Sequence, residues 1–120
     1  MTKVEILDMV ANHYNSENRA FKDDGCYYKT TDGRMCAVGM CMNDESTSWW
    51  GGFLGNVLEL SRQIEGDIDE VFKDEFKGHD IDFWTDMQIL HDDAAYWDEE
   101  GLSWIGIEKY VKLKEKYHGK

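Results

Sequence analysis

The stretch from Cys26 to Gly39 constrains the fold more than any other part of the chain, because it predicts a β-hairpin in a sequence that is otherwise helical. Tyrosine, threonine and valine favour a pleated, half-buried surface. Asp32 and Gly33 supply the tight turn, since glycine adopts positive φ at little cost. The sequence therefore predicts one hairpin at about 26–40.

Two registers of this hairpin are possible. A two-residue Asp-Gly loop pairs Thr31 with Arg34 and places the two cysteines of the stretch on opposite faces. A three-residue loop, in which Gly33 closes a type I turn as a bulge, pairs Thr30 with Arg34. We prefer the second register. In it, one face of the hairpin carries Cys26, Tyr28, Cys36, Val38 and Met40.

Apolar residues at helical spacing predict helices on both sides of the hairpin. Thr2 and Glu5 have the spacing of a capping box at the start of the first helix, and Asp80 or Asp82 and later Ser103 are suitable caps for the last two. The predicted helices cover about 3–15, 53–65, 67–76, 82–97 and 103–117. The expected class is α+β, with one hairpin packed against four or five helices in a single domain, 1–120.

The fourth predicted helix carries two adjacent stripes and is expected to be buried over much of its girth. The stripes are Phe83, Met87, Leu90, Ala94 and Trp97, and beside them Trp84, Gln88, His91 and Ala95. The segment 41–52 is predicted to be a loop. It ends in Trp49 and Trp50, which cannot both point the same way, so one of them is expected to be partly exposed.

The net charge of −12 is concentrated in one third of the chain. Residues 65–100 contain fourteen acids against two lysines. A negative field of this kind argues against direct nucleic-acid binding and attracts a basic protein surface or cations. Solubility alone is the competing interpretation.

The remaining bulk features indicate a cytoplasmic protein. No run approaches the length of a membrane span, and the amphipathic pattern begins at once, without the pattern of a signal peptide. Three cysteines in such a chain are expected to be reduced thiols rather than a disulfide framework.

The cysteines and His91 are the candidates for chemistry. Two thiolates and an imidazole are suitable zinc ligands, so Cys26, Cys36 and His91 form a possible zinc site, although their spacing is unlike that of a zinc finger. Alternatively, Cys26 or Cys36 could be a nucleophile with His91 as base and Asp92 as orienting acid. The third interpretation is structural, with buried cysteines and a buried helical histidine.

The segment 26–39 has the sequence Cys-Tyr-Tyr-Lys-Thr-Thr-Asp-Gly-Arg-Met-Cys-Ala-Val-Gly. It resembles a family of small uncharacterised proteins of tailed phages and prophages, which typically have Cys-x-Tyr-Arg-x-Pro-Asp-Gly-x-Lys-Cys-Ala-Val-Gly-Cys. A later family signature, Leu-x-x-Leu-Gln-x-x-His-Asp followed by tryptophan, is similar to 84–92 and Trp97 here. Two differences from the family pattern matter most: Met40 stands at its third cysteine and Thr31 at its proline. The resemblance implies a phage origin and no particular chemistry.

These observations lead to two expected functions. The first is a non-enzymatic, phage-encoded protein that binds and inhibits or modulates a host protein with a basic surface, of the anti-defence or host-takeover type, in the cytoplasm of the infected host. Carboxylates at helical spacing could mimic a nucleic-acid backbone there. The residues expected to face this partner are Asp67, Asp69, Glu70, Asp74, Glu75, Asp86, Trp49 and Trp50. The second is a small enzyme or zinc protein that uses Cys26, Cys36, His91 and Asp92.

Overall fold

The structure is a computed structural model that describes residues 1–19, 21–22, 25–26, 28–30, 32–53, 55–64 and 66–120, with the backbone alone at 21–22 and 25–26. The α-helices of these residues are α1 (Lys3–His13), α2 (Asp44–Trp50), α3 (Val57–Gln63), α4 (Ile81–Asp92) and α5 (Trp104–Tyr117). Two antiparallel pairs of short strands are β1 (Phe21–Lys22) with β2 (Gly25–Cys26), and β3 (Trp97–Asp98) with β4 (Gly101–Leu102). Short 3-10 helices lie at Gly39–Cys41, Ile68–Val71, Asp74–Phe76 and Ala94–Tyr96. The predicted α+β class, a hairpin packed against helices, is confirmed.

The hairpin turn has the preferred three-residue register. Lys29 and Met35 form an antiparallel bridge, and the Thr30 amide donates to the Arg34 carbonyl over 2.7 Å. Gly33 has a φ of 89°, as the bulge position requires. Hydrogen bonds from the Thr30 hydroxyl and the Arg34 side chain hold the Asp32 carboxylate at the turn and lower its pKa to about 2.

The hairpin is shorter than predicted at its C-terminal end. Among the described residues, its antiparallel contacts extend to Tyr28 and Cys36, whose backbones are joined by a 3.2 Å hydrogen bond. Beyond Cys36 the chain turns into the 3-10 helix Gly39–Cys41. Cys26 pairs instead with Phe21 in β1–β2. The expectation that five alternating residues of a strand up to Met40 share one face is therefore wrong, because strand alternation ends at Cys36.

Gly39, at the end of the Cys-Ala-Val-Gly segment, allows the chain to fold back onto the hairpin. A Cβ atom at this position would lie 2.0 Å from the carbonyl oxygen of Tyr28. A glycine is needed here because of this close backbone approach rather than because of its φ angle.

Local capping explains where the helices begin. The Thr2–Glu5 capping box is present, and Asp80 caps α4 by accepting a hydrogen bond from the Phe83 amide. Ser103 caps α5 in the same way. α4 ends earlier than predicted, at Asp92, because Asp93 is extended and its side chain caps the next 3-10 helix.

The structure differs from the prediction in the segments 67–76 and 53–65. The segment 67–76 is not one helix but two 3-10 turns, since Phe72 between them is extended and bridges to Met42. Its ring stacks on that of Trp84, with centroids 4.2 Å apart. The predicted helix 53–65 is the shorter α3, which begins after its cap Asn56; positions 54 and 65 of that prediction lie outside the described residues.

The predicted loop 41–52 contains a helix, α2. Its cap is Asn43, whose side chain accepts a hydrogen bond from the Ser46 amide. Acidic residues at 44 and 45 occupy the first turn, where the helix dipole favours them. Trp49 and Trp50 are therefore residues of a helix.

α4 is the centre of the core. Its buried residues lie on both predicted stripes and are Phe83, Trp84, Met87, Gln88, Leu90 and His91. The hairpin packs against this helix through Gln88, whose amide nitrogen lies 3.4 Å from the Tyr28 hydroxyl. Within the described residues, no helix is both long enough and apolar enough to cross a membrane.

Candidate functional site

His91 is completely buried, with 0% of its surface exposed. Its Nδ1 lies 2.6 Å from Oδ1 of Asp92. Burial lowers the pKa of His91, and Asp92 opposes this shift. The Arg19 guanidinium donates to the backbone carbonyls of His91 and Asp92 over 3.0 and 3.1 Å. It therefore provides hydrogen bonds to two carbonyl groups at the C-terminal end of α4.

Tyr14 joins this region to the hairpin. Its ring packs edge-on against His91, with centroids 4.8 Å apart, and its hydroxyl donates to the Met35 carbonyl over 2.6 Å. Burial raises its pKa, as do Cys36 and the other nearby acidic groups. We call Tyr14, Arg19, His91 and Asp92 the His91 cluster. Its contacts join α1, the hairpin and α4.

The two hairpin-side sulfurs are buried as well. The Gly39 amide donates to the Cys36 sulfur over 3.2 Å, and the Cys41 thiol donates to the Ala37 carbonyl over 3.4 Å. Burial raises the pKa of Cys41, the opposite of the shift that activates a nucleophile. Cys41 is a free thiol, as predicted.

Of the predicted zinc and catalytic sets, the structure brings His91 and Asp92 together, and the use of Cys26 or Cys36 with them as a nucleophile stays a prediction. No three of the described His, Cys, Asp and Glu residues are arranged to hold a metal ion. The side chain of Cys26 lies outside the described part of the chain, so a site that includes Cys26, Cys36 and His91 stays a prediction.

The predicted partner-binding acids separate into two groups. Asp69 and Asp86 are engaged within the fold: Asp69 accepts from the Gly78 amide over 3.0 Å, and Asp86 accepts from Lys116 and from the Tyr117 hydroxyl. The other acids are exposed. They are Asp67, Glu70, Asp74 and Glu75, of which Asp67 also caps a 3-10 turn and Asp74 pairs with Lys77.

An open cavity of about 620 Å³ lies where α2, the end of α3 and the Ile68–Val71 turn meet. We call it the Trp49 groove. Its lining combines indole surface, two carboxylates and neutral polar groups: Asn43, Glu45, Ser46, Ser48, Trp49, Trp50, Gln63, Ile64, Glu70 and Val71. Trp49 is 79% exposed. One of the two adjacent tryptophans is thus exposed, as predicted.

Trp50 anchors the groove to the core. Its ring packs edge-on against Phe53, with centroids 5.7 Å apart, and Phe53 stacks on Tyr28 at 6.3 Å. Asn43 fixes the neighbouring wall, since its amide donates to the Glu70 carbonyl. These contacts connect the walls of the groove to the core and to the Ile68–Val71 turn.

The groove contains residues that the sequence prediction missed, above all Glu45 and Gln63. Glu45 lies four residues before Trp49, so in a helix the two share a face. The signal that could have found Glu45 is the cap Asn43 followed by Asp44 and Glu45, which is typical of a helix start.

The chain was compared with known protein families, with curated proteins and with solved structures, and nothing matches it. The resemblance to phage proteins therefore stays a prediction.

Proposed function

We propose that this chain is a non-enzymatic interaction protein that binds a basic surface of another protein through the Trp49 groove. The observation that carries this proposal is the exposure of Trp49, 79% of its surface, at the wall of a groove that also contains Glu45 and Glu70. Tryptophan is enriched among the residues that dominate binding energy at protein interfaces. An exposed indole that is fixed on a helix is ready to be buried by a partner.

The charge of the chain determines the kind of partner. The net charge of −12 repels nucleic acid and attracts a basic surface. Asp67, Glu70, Asp74 and Glu75 extend the negative surface from the groove along the two adjacent 3-10 turns. Such a row of carboxylates offers a nucleic-acid-binding protein the kind of charge that it meets on a phosphate backbone.

The biological setting rests on the resemblance of the segments 26–39 and 84–92 to phage proteins. We propose accordingly that the partner is a host protein, that binding inhibits or modulates it, and that this occurs in the cytoplasm of the infected cell. A host defence or transcription factor with a basic nucleic-acid-binding surface is suited to such inhibition.

A charge-matched capture experiment tests this proposal. The full chain, its Glu45→Lys/Glu70→Lys variant and a Glu99→Lys/Glu100→Lys control are immobilised and exposed to bacterial lysate at low salt. The control changes the net charge equally, at the exposed turn between β3 and β4.

We expect wild type and control to retain the same protein, which high salt releases because screening weakens exposed charge pairs. We expect the groove variant to lose it. Equal retention by all three chains would contradict the proposal, and so would a partner whose retention does not change with salt. A retained protein is then identified, and its activity is measured with and without the wild-type chain.

A further inference from the structure

The composition of the Trp49 groove restricts what can occupy it. Its charged lining residues, among those described, are Glu45 and Glu70, and neither is in an ion pair within the described part of the chain. Both carboxylates are therefore uncompensated by any cation among the described residues. A neutral or acidic occupant would leave them uncompensated, whereas a cation would pair with them.

The indole of Trp49 narrows the choice of cation further. A cation over an aromatic face is attracted by the ring, most strongly with tryptophan and more often with arginine than with lysine. The guanidinium group is planar and weakly hydrated, so it stacks on an indole while its edge donates to a carboxylate. Glu45, one helical turn before Trp49, is placed to accept such a bond.

The walls of the groove suit a side chain with a long apolar stem. Ile64 and Val71 contribute apolar surface, and Ser48 and Gln63 contribute neutral polar groups. Arginine buries its methylene stem along apolar surface and keeps its charged end polar. The volume of about 620 Å³ lies within the range of small-ligand sites, about 300–1,000 Å³, and admits one such side chain together with adjacent peptide.

We infer that the Trp49 groove seats an arginine side chain of its partner, stacked on Trp49 and paired with Glu45 and Glu70. This inference rests on the proposed function and makes it more specific, since it names the group that the site recognises. Lysine has a compact, strongly hydrated charge and cannot stack and pair in the same way.

Short synthetic peptides test the inference directly. The full chain, labelled with ¹⁵N, is titrated at low salt with three capped peptides of alternating glycine and one other residue: arginine, lysine or the neutral isostere citrulline. The readout is the indole N–H resonance of Trp49, assigned with a Trp49→Phe variant. A Glu45→Gln/Glu70→Gln variant removes the two charges, and Glu99→Gln/Glu100→Gln is the matched control.

We expect the arginine peptide to shift the Trp49 resonance saturably, with a dissociation constant several-fold lower than that of the lysine peptide. We expect no saturable shift with citrulline. The groove variant should bind the arginine peptide about tenfold more weakly, and the control should bind it as wild type does. Equal binding of arginine and lysine, binding of citrulline, or unchanged binding by the groove variant would each overturn the inference.

The two proposals fail in different ways. If the groove lysine variant loses a captured protein but no arginine peptide shifts Trp49, the arginine assignment is wrong and the interaction function stands. If the groove lysine variant captures the same protein as wild type does, the interaction function itself is contradicted.

Discussion

The His91 cluster and the Trp49 groove both combine aromatic and charged side chains. Those of the cluster contact other parts of the fold, whereas Trp49 and the carboxylates of the groove are exposed. In the cluster, Tyr14 and Arg19 contact the carbonyl groups and rings of other elements, and His91 is fully buried. In the groove, Trp49 and its neighbouring carboxylates face solvent. Buried polar groups whose contacts connect separate elements of the fold stabilise it, whereas exposed aromatic and charged groups in a groove are available to a partner.

This difference assigns separate roles to the two regions. Substitutions in the His91 cluster and in the hairpin that contacts it should lower the free energy of unfolding. Substitutions in the groove should change binding and leave stability nearly unchanged. Substitutions in each region, measured by unfolding and by binding, test this division.

The largest effect is expected for Gly39→Ala. The hairpin residue Tyr28 contacts α4 through Gln88 and the groove through Phe53, and the added Cβ would meet the Tyr28 carbonyl at 2.0 Å. Overpacking against fixed backbone should cost at least about 2 kcal/mol of unfolding free energy. Urea denaturation followed by circular dichroism measures this.

Gly52→Ala is the matched control, because a Cβ there meets nothing within 4 Å and the φ angle is not positive. We expect a change within about 0.5 kcal/mol. Equal stability of the two variants would mean that the close approach at Gly39 does not hold the hairpin.

His91→Gln should give the next effect, both in stability and in its pH dependence. Burial holds the pKa of folded His91 below its ordinary value, so below about pH 6.5 the unfolded chain binds more protons at this residue. The stability that neutral His91 contributes is complete above about pH 6.5 and is lost as the pH falls toward the folded pKa. The substitution should cost about 1–3 kcal/mol at pH 7.5.

Urea denaturation at pH 7.5 and at pH 5.5 checks this prediction. The wild type should be less stable at the lower pH, and His91→Gln should lose less stability on acidification. His79, whose pKa is also lowered by burial, adds a dependence of the same sign that remains in the variant. His118→Gln, at the exposed C-terminal end, is the control and should behave as wild type. If His91→Gln had the same pH dependence of the unfolding free energy as wild type, another residue would have to cause that dependence.

The sequence predicts most of the fold because its signals are local. The Asp32-Gly33 turn, the Thr2–Glu5 box and the Ser103 cap each depend on atoms a few residues apart. The segment 67–76 could not be predicted in this way. Its apolar spacing fits a helix, but the bridge from Phe72 to Met42 and the stacking of Phe72 on Trp84 are tertiary contacts that favour two 3-10 turns.

The candidate site was predictable only in part. The exposure of one tryptophan of the pair 49–50 follows from their adjacency in the chain, and Glu70 was expected at the binding surface. The groove itself depends on the meeting of α2, α3 and the Ile68–Val71 turn. The local sequence pattern does not predict that tertiary contact. Asp86 and Glu70 have the same charge, so charge alone did not show which of them is exposed. Lys116 and Tyr117 hold Asp86 within the fold, whereas Glu70 is exposed.

The most direct test of this account compares two exposed tryptophans. Trp49 and Trp104 are 79% and 75% exposed, the first in the groove and the second at the start of α5. Each is replaced by alanine, and the unfolding free energy and the dissociation constant for the arginine peptide are measured for both. We expect both variants to stay within about 0.5 kcal/mol of wild-type stability. Only Trp49→Ala should weaken binding, by about tenfold or more. Wild-type affinity in Trp49→Ala, or an equal loss in Trp104→Ala, would contradict the account.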